Sequence, residues 1–506
     1  MLPANPQLAA ALSIVSLLRE AGFDAYLAGG CVRDLLLGRE PSDYDVATSA
    51  TPDVVLALFE RTFAVGAHFG VVLVATTCSG ADAAFAAEGQ RDEDESTTTE
   101  VATFRSDGAY SDGRHPDAVR YTLSAEEDVK RRDFTINGLL LDPLALVEGT
   151  DASGAEAPLN SSGFARGLKS PPPSIRAAVL DFVHGLADLD AGIVRAIGLP
   201  ERRFEEDHLR MLRAVRFAAR FGFAIEPATQ TAIRALARKT CSVSRERVRD
   251  ELTKMLTEGH ARRAFELLDE TGLLIHVLPE IAKMKGVEQP PQYHPEGDVW
   301  IHTLGLLGQL EGGCSLTLAW GALLHDVGKP PTFRRAPDRI RFDGHVDVGV
   351  AIAADILRRF RFSNDETRQV LELVANHMRF ADAERMKAST LKRFFRLEKF
   401  EEHLALHRMD CLAGSGNLDH WQFVRERWLA APEEGVRPKL LLTGRELIAA
   451  GYRPGTLFKT MLAAAEDAQL EGLVHTPEEA LRWVGERFPR PSVDDRSPNS
   501  GKLSTI

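Results

Sequence analysis

The 506-residue chain is poor in cysteine, and the few it has are scattered. Cys31, Cys78, Cys241, Cys314 and Cys411 stand far apart with no C-x-x-C, which argues against both a disulfide framework and a zinc ribbon. A reducing, cytoplasmic setting is the expectation. No apolar run approaches the roughly 18 residues needed to span a bilayer, and the opening M-L-P-A-N-P has no basic export region, so no membrane partner is expected. Positive charge is also short overall, with a net charge of -12 at pH 7. That deficit is local: between Glu201 and Arg263, 15 lysines and arginines face 9 acidic residues, so a basic surface is concentrated in one stretch. At 44% hydrophobic content the chain can bury real cores, and its length allows roughly three or four domains.

The segment Tyr26 to Asp45, Y-L-A-G-G-C-V-R-D-L-L-L-G-R-E-P-S-D-Y-D, carries the first chemistry. Tyr26 and Leu27 end a short apolar strand, and Gly29 and Gly30 let the backbone turn tightly with bare N–H groups. Val32 to Leu37 reads as a short helix whose N-terminus, with Arg33, offers positive charge to a phosphate chain. After Pro41 and Ser42, strand alternation over Asp43-Tyr44-Asp45 puts two carboxylates on one face and the ring on the other. Paired oxygen ligands suit Mg²⁺, which in in-line phosphoryl displacement activates a hydroxyl and neutralises phosphate charge. The stretch therefore reads as a nucleotidyl-transfer head.

Residues 8–20 are predicted as an amphipathic helix, 54–59 as a helix and 69–74 as a buried strand. The acidic run 81–99 reads as a solvated insertion, with the strand resuming over 100–105. Glu100 is either a third carboxylate of the metal site or a strand-edge surface residue. Ser106 to Arg114, S-D-G-A-Y-S-D-G-R, is a Gly-rich mobile loop. In K-R-R-D-F-T-I-N, Arg132, Asp133 and Asn137 could hold ribose hydroxyls and phosphates, while Asp133 could equally cap a helix. Residues 150–175 read as a linker or insertion, and a helix is predicted over Phe204 to Phe221.

On that helix Asp207 and Arg210 are three apart and so share a face. Cytosine and adenine each present an amine donor beside a ring-nitrogen acceptor, whereas guanine and uracil present the reverse. A carboxylate accepting from the amine and a guanidinium donating to the ring nitrogen fit C and A and reject G and U. A plain surface salt bridge is the competing reading.

In order, G-G-C-V-R-D, D-Y-D, R-R-D-F-T-I-N-G, D-x-x-x-G-x-x-D-L, E-D-H-L-R-M-L-R-A-V-R-F and S-R-E-R-V-x-x-E-L resemble the successive motifs of the bacterial CCA-adding enzyme and poly(A) polymerase family, over roughly residues 20–260. The resemblance implies Asp43 and Asp45 as catalytic metal ligands, and Gly30 and Arg33 at the triphosphate. It implies Arg132, Asp133 and Asn137 at the sugar and phosphates, and Asp207 and Arg210 as base template with Arg213 and Arg216 in support. Two departures, Gly138 for the usual Ala and His208 for the usual Pro, remove no functional group.

Further on come H-P-E-G-D-V-W-I-H-T (His294, His302), L-L-H-D-V-G-K-P (His325, Asp326), F-D-G-H-V-D (His345) and L-V-A-N-H-M (His377). An adjacent His-Asp pair ending an apolar helical run, with a histidine well upstream, resembles the HD phosphohydrolase domain. The resemblance implies that His302, His325, Asp326 and Asp410 bind a divalent metal. Imidazole and carboxylate ligands suit Mn²⁺, Ni²⁺, Co²⁺ or Fe²⁺. His345 and His377 are candidate ligands for a second metal or for a substrate phosphate.

The expected fold class is α+β: a small head with a mixed β-sheet, then all-α neck, HD and C-terminal domains. The boundaries are 1–150 for the head, 151–180 for a linker, 181–270 for the base-selecting and RNA-binding neck, 271–395 for the HD domain, 396–490 for the C-terminal helices and 491–506 for a disordered tail. The resemblance implies a template-independent tRNA nucleotidyltransferase using CTP and ATP, with a second, HD-type phosphatase or cyclic phosphodiesterase activity. A poly(A) polymerase, an A-adding enzyme and an RNA-binding HD metallophosphohydrolase are the alternatives, and the sequence leaves oligomeric state open.

Overall fold

Asn5 starts the first helix, α1 (Pro6–Glu20), its side chain accepting from the Gln7 and Leu8 amides at 2.9 and 3.3 Å. Pro6 follows at a position whose N–H would be unused. Ala11, Ile14, Val15 and Leu18 recur at helical spacing and are buried. The computed structural model describes residues 5–63, 70–77, 96–107, 119–145, 173–292 and 294–489. They fall into two units, Met1–Ala282 with Glu311–Gly313, and Lys283–Leu310 with Cys314–Ile506.

The first unit holds β1 (Ala25–Ala28), β2 (Asp45–Thr48), β3 (Thr62–Phe63), β4 (Val71–Thr77), β5 (Ser96–Thr103), β6 (Arg105–Asp107), β7 (Val119–Tyr121), β8 (Leu139–Leu141) and β9 (Val179–Asp181). Seven of them form one sheet in the order β3-β4-β5-β2-β1-β8-β9. β2 and β5 run parallel and the other neighbours antiparallel, so the sheet is mixed as expected. Three helices flank the early strands: α2 (Gly30–Leu36), α3 (Pro52–Leu58) and α4 (Ala125–Lys130). Ala28, Ala47, Phe104, Val129 and Leu140 form a core there, with Tyr26 stacked on Phe104 at 6.3 Å.

Three expectations shift. β5 starts at Ser96, because Ser96–Thr99 pair with Val74–Thr77, and β-branched threonines suit a pleated surface; residues 81–95 of the expected insertion lie outside the described residues. Ser106 and Asp107 belong to β6, paired with β7, while 108–114 of the expected loop lie outside the described residues. Beyond the boundary expected at 150, β9 adds an edge strand to the head's sheet, preceded by α5 (Pro173–Ala177); residues 146–172 and the tail 490–506 are likewise outside the described residues.

After the sheet the first unit is helical: α6 (Gly185–Ala191), α7 (Pro200–Glu206), α8 (Arg210–Phe221), α9 (Pro227–Leu236), α10 (Arg245–Thr257) and α11 (Ala261–Glu270), with one two-residue parallel strand pair at Ile193–Val194 and Ala224–Ile225. The single helix predicted over 204–221 is two. Asp207 is extended (φ -147°, ψ 107°), and its Oδ1 accepts from the Leu209 amide at 3.0 Å. A short acidic side chain competes in this way for backbone donors, and the chain breaks and restarts.

The second unit is built of helices around its histidines: α12 (Val299–Leu307), α13 (Leu316–Leu324), α14 (His345–Arg359), α15 (Asn364–Asn376) and α16 (Phe400–Ala413). Later helices pack Leu447, Tyr452, Met461 and Val484 into a core of their own. Among the described residues, no helix is long and apolar enough to cross a membrane.

Candidate active site and metal centre

β1 delivers the chain to Gly29, whose φ of 75° is left-handed. A Cβ there would stand 3.0 Å from Arg132 Nη1, so glycine answers both the backbone and the close approach. Gly30 then opens α2. Asp43 is exposed, Tyr44 buried and Asp45 half-buried, as alternation requires, although sheet pairing begins only at Asp45. The parallel register places Val46 beside Val101, and so Asp45, at the start of β2, beside Glu100 within β5. Burial pushes the Asp45 carboxyl up to about 7, Asp43 and Glu100 add to the rise, and Arg132 opposes it. Mutually repelling carboxylates are what a divalent cation relieves. Among the described residues, the three do not close into a three-ligand group within 4.8 Å as some groups in the second unit do.

Arg33 does not stand free as a phosphate ligand. It is buried, pairs with Asp34 at 2.8 Å, donates to Asn137 Oδ1 at 2.5 Å, and lies over the Phe217 and Phe221 rings at 5.2 and 4.6 Å. Asn137 donates onward to Asp133 Oδ1 at 3.0 Å, and Asp133 Oδ2 accepts from Arg213 Nε at 2.8 Å. Burial opposes charge on Asp133, but Arg213 and Asn137 hold its carboxyl down at about 2. Asp133 therefore stays ionised. It follows α4 and caps no helix N-terminus. Arg132 is held by Asp128 at 3.0 Å, and Arg216 pairs with buried Glu251 at 2.7 Å. Five sequence-predicted residues, Arg33, Asp133, Asn137, Arg213 and Arg216, thus sit in one charged network.

Asp207 and Arg210 are not on one helix face, and no ion pair joins them. Asp207 Oδ2 is 2.6 Å from Arg247 Nη2, whereas Arg210 Nη1 is 2.5 Å from Glu206 Oε2. The plain Asp207–Arg210 salt bridge is excluded. Arg247, Glu251, Glu206 and the two phenylalanines went unassigned in the sequence; Arg247 and Glu251 lie four apart inside S-R-E-R-V-x-x-E-L, the spacing of one helix face.

In the second unit the fold brings all six expected ligands together. His302 is fully buried on α12, its Nδ1 2.6 Å from Glu296 Oε1 and its Nε2 2.9 Å from Asp410 Oδ1 on α16. Burial works against a charge on His302, yet those two carboxylates raise it to about 9. His325 caps the end of α13, His377 that of α15, and His345 opens α14 after Gly344 (φ 74°). Each donates from Nδ1 to a carbonyl three residues back, Ala322, Val374 and Phe342, at 2.8, 2.7 and 3.0 Å. That bond fixes the tautomer and leaves Nε2 as the acceptor. The Nε2 atoms of His325, His345 and His377 and Asp326 Oδ1 are buried without a hydrogen-bond partner. Buried orphans of this kind are rare unless something binds them. His302, His325 and Asp410 form one possible ligand group and Asp326, His345 and His377 another, each within 4.8 Å.

Lys329 holds the far oxygen of Asp326 at 2.7 Å and donates to Gln289 Oε1 at 2.6 Å. Burial opposes the Asp326 charge, but His325 and Lys329 keep its carboxyl well below the usual range. A cavity of 750 Å³, with Asp326, Lys329, Arg341, His377 and Asp410 in its wall, opens on this cluster. Sequence reasoning missed Glu296, although it stands within the quoted H-P-E-G-D.

Residues 25–154 match the poly A polymerase head domain, 222–285 the probable RNA and SrmB-binding site of polymerase A, and 299–413 the HD domain. The CCA-adding enzyme of Geobacillus stearothermophilus is 38% identical over 278 residues, 55% of this chain and 56% of that protein. That of Lactobacillus gasseri is 35% identical over 302 residues, 59% of this chain and 63% of that protein. The chain thus spans less than two thirds of the length of these curated relatives. A crystal structure of the Bacillus stearothermophilus CCA-adding enzyme in complex with CTP superposes with a TM-score of 0.65 at 27% identity, covering 96% of this chain and 98% of that one. The Thermotoga maritima CCA-adding enzyme complexed with tRNA shares the fold, with a TM-score of 0.53 at 17% identity over 96% and 97% of the two chains. Poly A polymerase head, polymerase RNA-binding segment and HD domain thus match in that order along the chain, and over 55% of its length the chain is similar to a curated CCA-adding enzyme.

Proposed function

We propose that the chain is a template-independent tRNA nucleotidyltransferase that adds C, C and A, or part of that sequence, to tRNA 3′ ends from CTP and ATP in the cytoplasm. The observation that carries this is the meeting of Asp45, Asp43, Glu100 and Arg132 beside Gly29. Asp43 and Asp45 would hold Mg²⁺, with Glu100 beside them, and the ion would supply hydroxyl activation and charge neutralisation at the phosphates. The tRNA 3′-oxygen bonds to the α-phosphorus of the nucleotide as the bond to the β-phosphate breaks, and pyrophosphate leaves. The protein contributes position: Gly29 and Gly30 give the phosphates open backbone, Arg132 offers a guanidinium beside Asp45, and the Arg33–Asn137–Asp133–Arg213 network fixes the sugar's surroundings. Asp207 and Arg210 read the base edge, with Arg216 in support. The CTP bound by the Bacillus relative favours CCA addition over a poly(A) polymerase indifferent to CTP. Asp43→Ala and Asp45→Ala should each abolish incorporation while tRNA binding persists; normal turnover in either would refute the assignment.

The second unit is a metal-dependent phosphohydrolase on the same reading. His302, His325, Asp326 and Asp410 would hold a divalent ion such as Mn²⁺, Ni²⁺ or Co²⁺, and His345 and His377, which share the Asp326 carboxylate, a second. Supporting this are the orphaned Nε2 atoms and the Nδ1 bonds that aim them. The substrate would be a phosphomonoester or 2′,3′-cyclic phosphate at an RNA end. Phosphate release unchanged in Asp326→Ala would exclude this centre as its source.

A further inference from the structure

Part of the cavity over the histidine cluster is walled by a short hairpin. Arg334–Arg335 pair antiparallel with Ile340–Arg341, and the Ala336 amide donates to the Arg339 carbonyl at 3.0 Å to close the turn. The hairpin leads straight into the ligand groups: the Phe342 carbonyl accepts from His345 Nδ1 at 3.0 Å, and Lys329 Nζ lies over the Phe342 ring at 5.5 Å. Arg339, Ile340, Arg341 and Phe342 all stand in the cavity wall. Between 334 and 343 four arginines meet two aspartates, a local excess of positive charge in a chain whose net charge is -12. Arg334 pairs with Asp343 at 2.9 Å, and Arg341 Nη2 with exposed Asp338 at 2.8 Å. An exposed pair of that kind is worth little, so it does not commit the Arg341 guanidinium. Arg341 Nε is buried with no hydrogen-bond partner among the described residues.

We propose that Arg341 holds the phosphate next to the one that is hydrolysed, so that the second unit acts on an oligonucleotide ending in a 3′-phosphate in preference to a free nucleotide. This rests on the reading of the second unit as a phosphohydrolase. A cavity of 750 Å³ is of the size that takes a whole small molecule, more than one phosphate group needs. The unpartnered Nε2 atoms of His325, His345 and His377 mark where the terminal phosphate goes, and Lys329 stands beside them on Asp326. Arg341 gives the same wall a second cation, and both cations neighbour Phe342. A mononucleotide has one phosphate and leaves Arg341 unused. An oligonucleotide end has another phosphate one nucleoside back, whose two free oxygens match the guanidinium fork. Ile340, Phe342 and Met378 give the intervening nucleoside an apolar wall. In the hydrolysis, water gives its oxygen to the terminal phosphorus and a proton to the ribose 3′-oxygen, whose bond to phosphorus breaks. Arg341 takes no part in that exchange and selects the substrate by affinity.

The test measures phosphate release, with Mn²⁺ added, from the dinucleotide CpCp, which ends in a 3′-phosphate, and from cytidine 3′-phosphate, using the full-length protein and its Arg341→Ala, Arg341→Lys and Asp326→Ala variants. The wild type should favour CpCp in kcat/KM. Arg341→Ala should lower kcat/KM for CpCp roughly ten- to a hundredfold more than for cytidine 3′-phosphate, mainly through KM, because charge-assisted hydrogen bonds are lost. Arg341→Lys, a point charge without the fork, should fall between wild type and alanine, and it carries the test where Arg341→Ala gives no cooperative melting transition. A readout that needs no turnover is the shielding of Arg341 from phenylglyoxal, followed by mass spectrometry of its peptide: CpC, which has the inner phosphate and no terminal one, should shield it, and cytidine should not. If the wild type does not favour CpCp, if both Arg341 variants lose equally on the two substrates or lose nothing, or if CpC gives no shielding, the role of Arg341 is overturned while the phosphohydrolase reading stands. If neither substrate releases phosphate, or release is unchanged in Asp326→Ala, that reading fails and the proposal with it.

Discussion

Arg213 donates from Nε to Asp133 Oδ2 across 2.8 Å, tying α8 to the turn that leads into β8. Asp133 is buried and spends its other oxygen on the Phe134 amide and Asn137. Arg213→Ala therefore leaves a buried carboxylate short of its cation, and unfolding in urea should show a loss of about 2–3 kcal/mol. Arg213→Lys should recover only part of it.

The same pair sets an acid limit. Asp133 titrates at about 2 in the folded chain against 3.8 as a free side chain, so its contribution is full above 3.8 and is lost as pH falls through about 2. The stability difference between wild type and Asp133→Asn, worth about 2 kcal/mol at neutral pH, should close as urea titrations move from about pH 5 toward pH 2.

Gly29 and Gly30 should respond differently to a methyl group. Gly29→Ala meets both a left-handed backbone and Arg132 at 3.0 Å, so it should cost about 1–2 kcal/mol and raise the nucleotide KM as Arg132 is displaced. In Gly30→Ala the new carbon meets only Arg33 Nη2 at 3.6 Å, ordinary contact, and thermal melting should hardly move.

Much of this was legible in the sequence, and the misses share a cause. Alternation anticipated the burial pattern of Asp43, Tyr44 and Asp45, although β2 begins only at Asp45, and the His-Asp pair at the end of an apolar run anticipated the end of α13 at His325, because both patterns are local. The 204–221 helix was not, since an apolar period says nothing of Asp207 competing for the Leu209 amide. Arg33 looked like a free cation because its partners Asn137 and Phe217 are remote in sequence. Nor could spacing show that Arg247 would land on Asp207, a meeting made by the return of α10 against α8.

In the second unit, Glu296 orients His302 from the side away from Asp410. Glu296→Gln should weaken metal binding by roughly ten- to a hundredfold in competition with a chelator, and Asp326→Ala should abolish it. Metal content equal to wild type in Asp326→Ala would show that the ion is not held through Asp326.

Product length decides whether this chain builds CCA. tRNA transcripts ending at the discriminator base, in -C and in -CC are each incubated with CTP, with ATP and with both, and the 3′ ends are sequenced. Addition that uses CTP on the first two substrates, ATP on the third, and stops at CCA is the expected result. Unlimited addition of A without need of CTP, or no extension of any transcript, would contradict it.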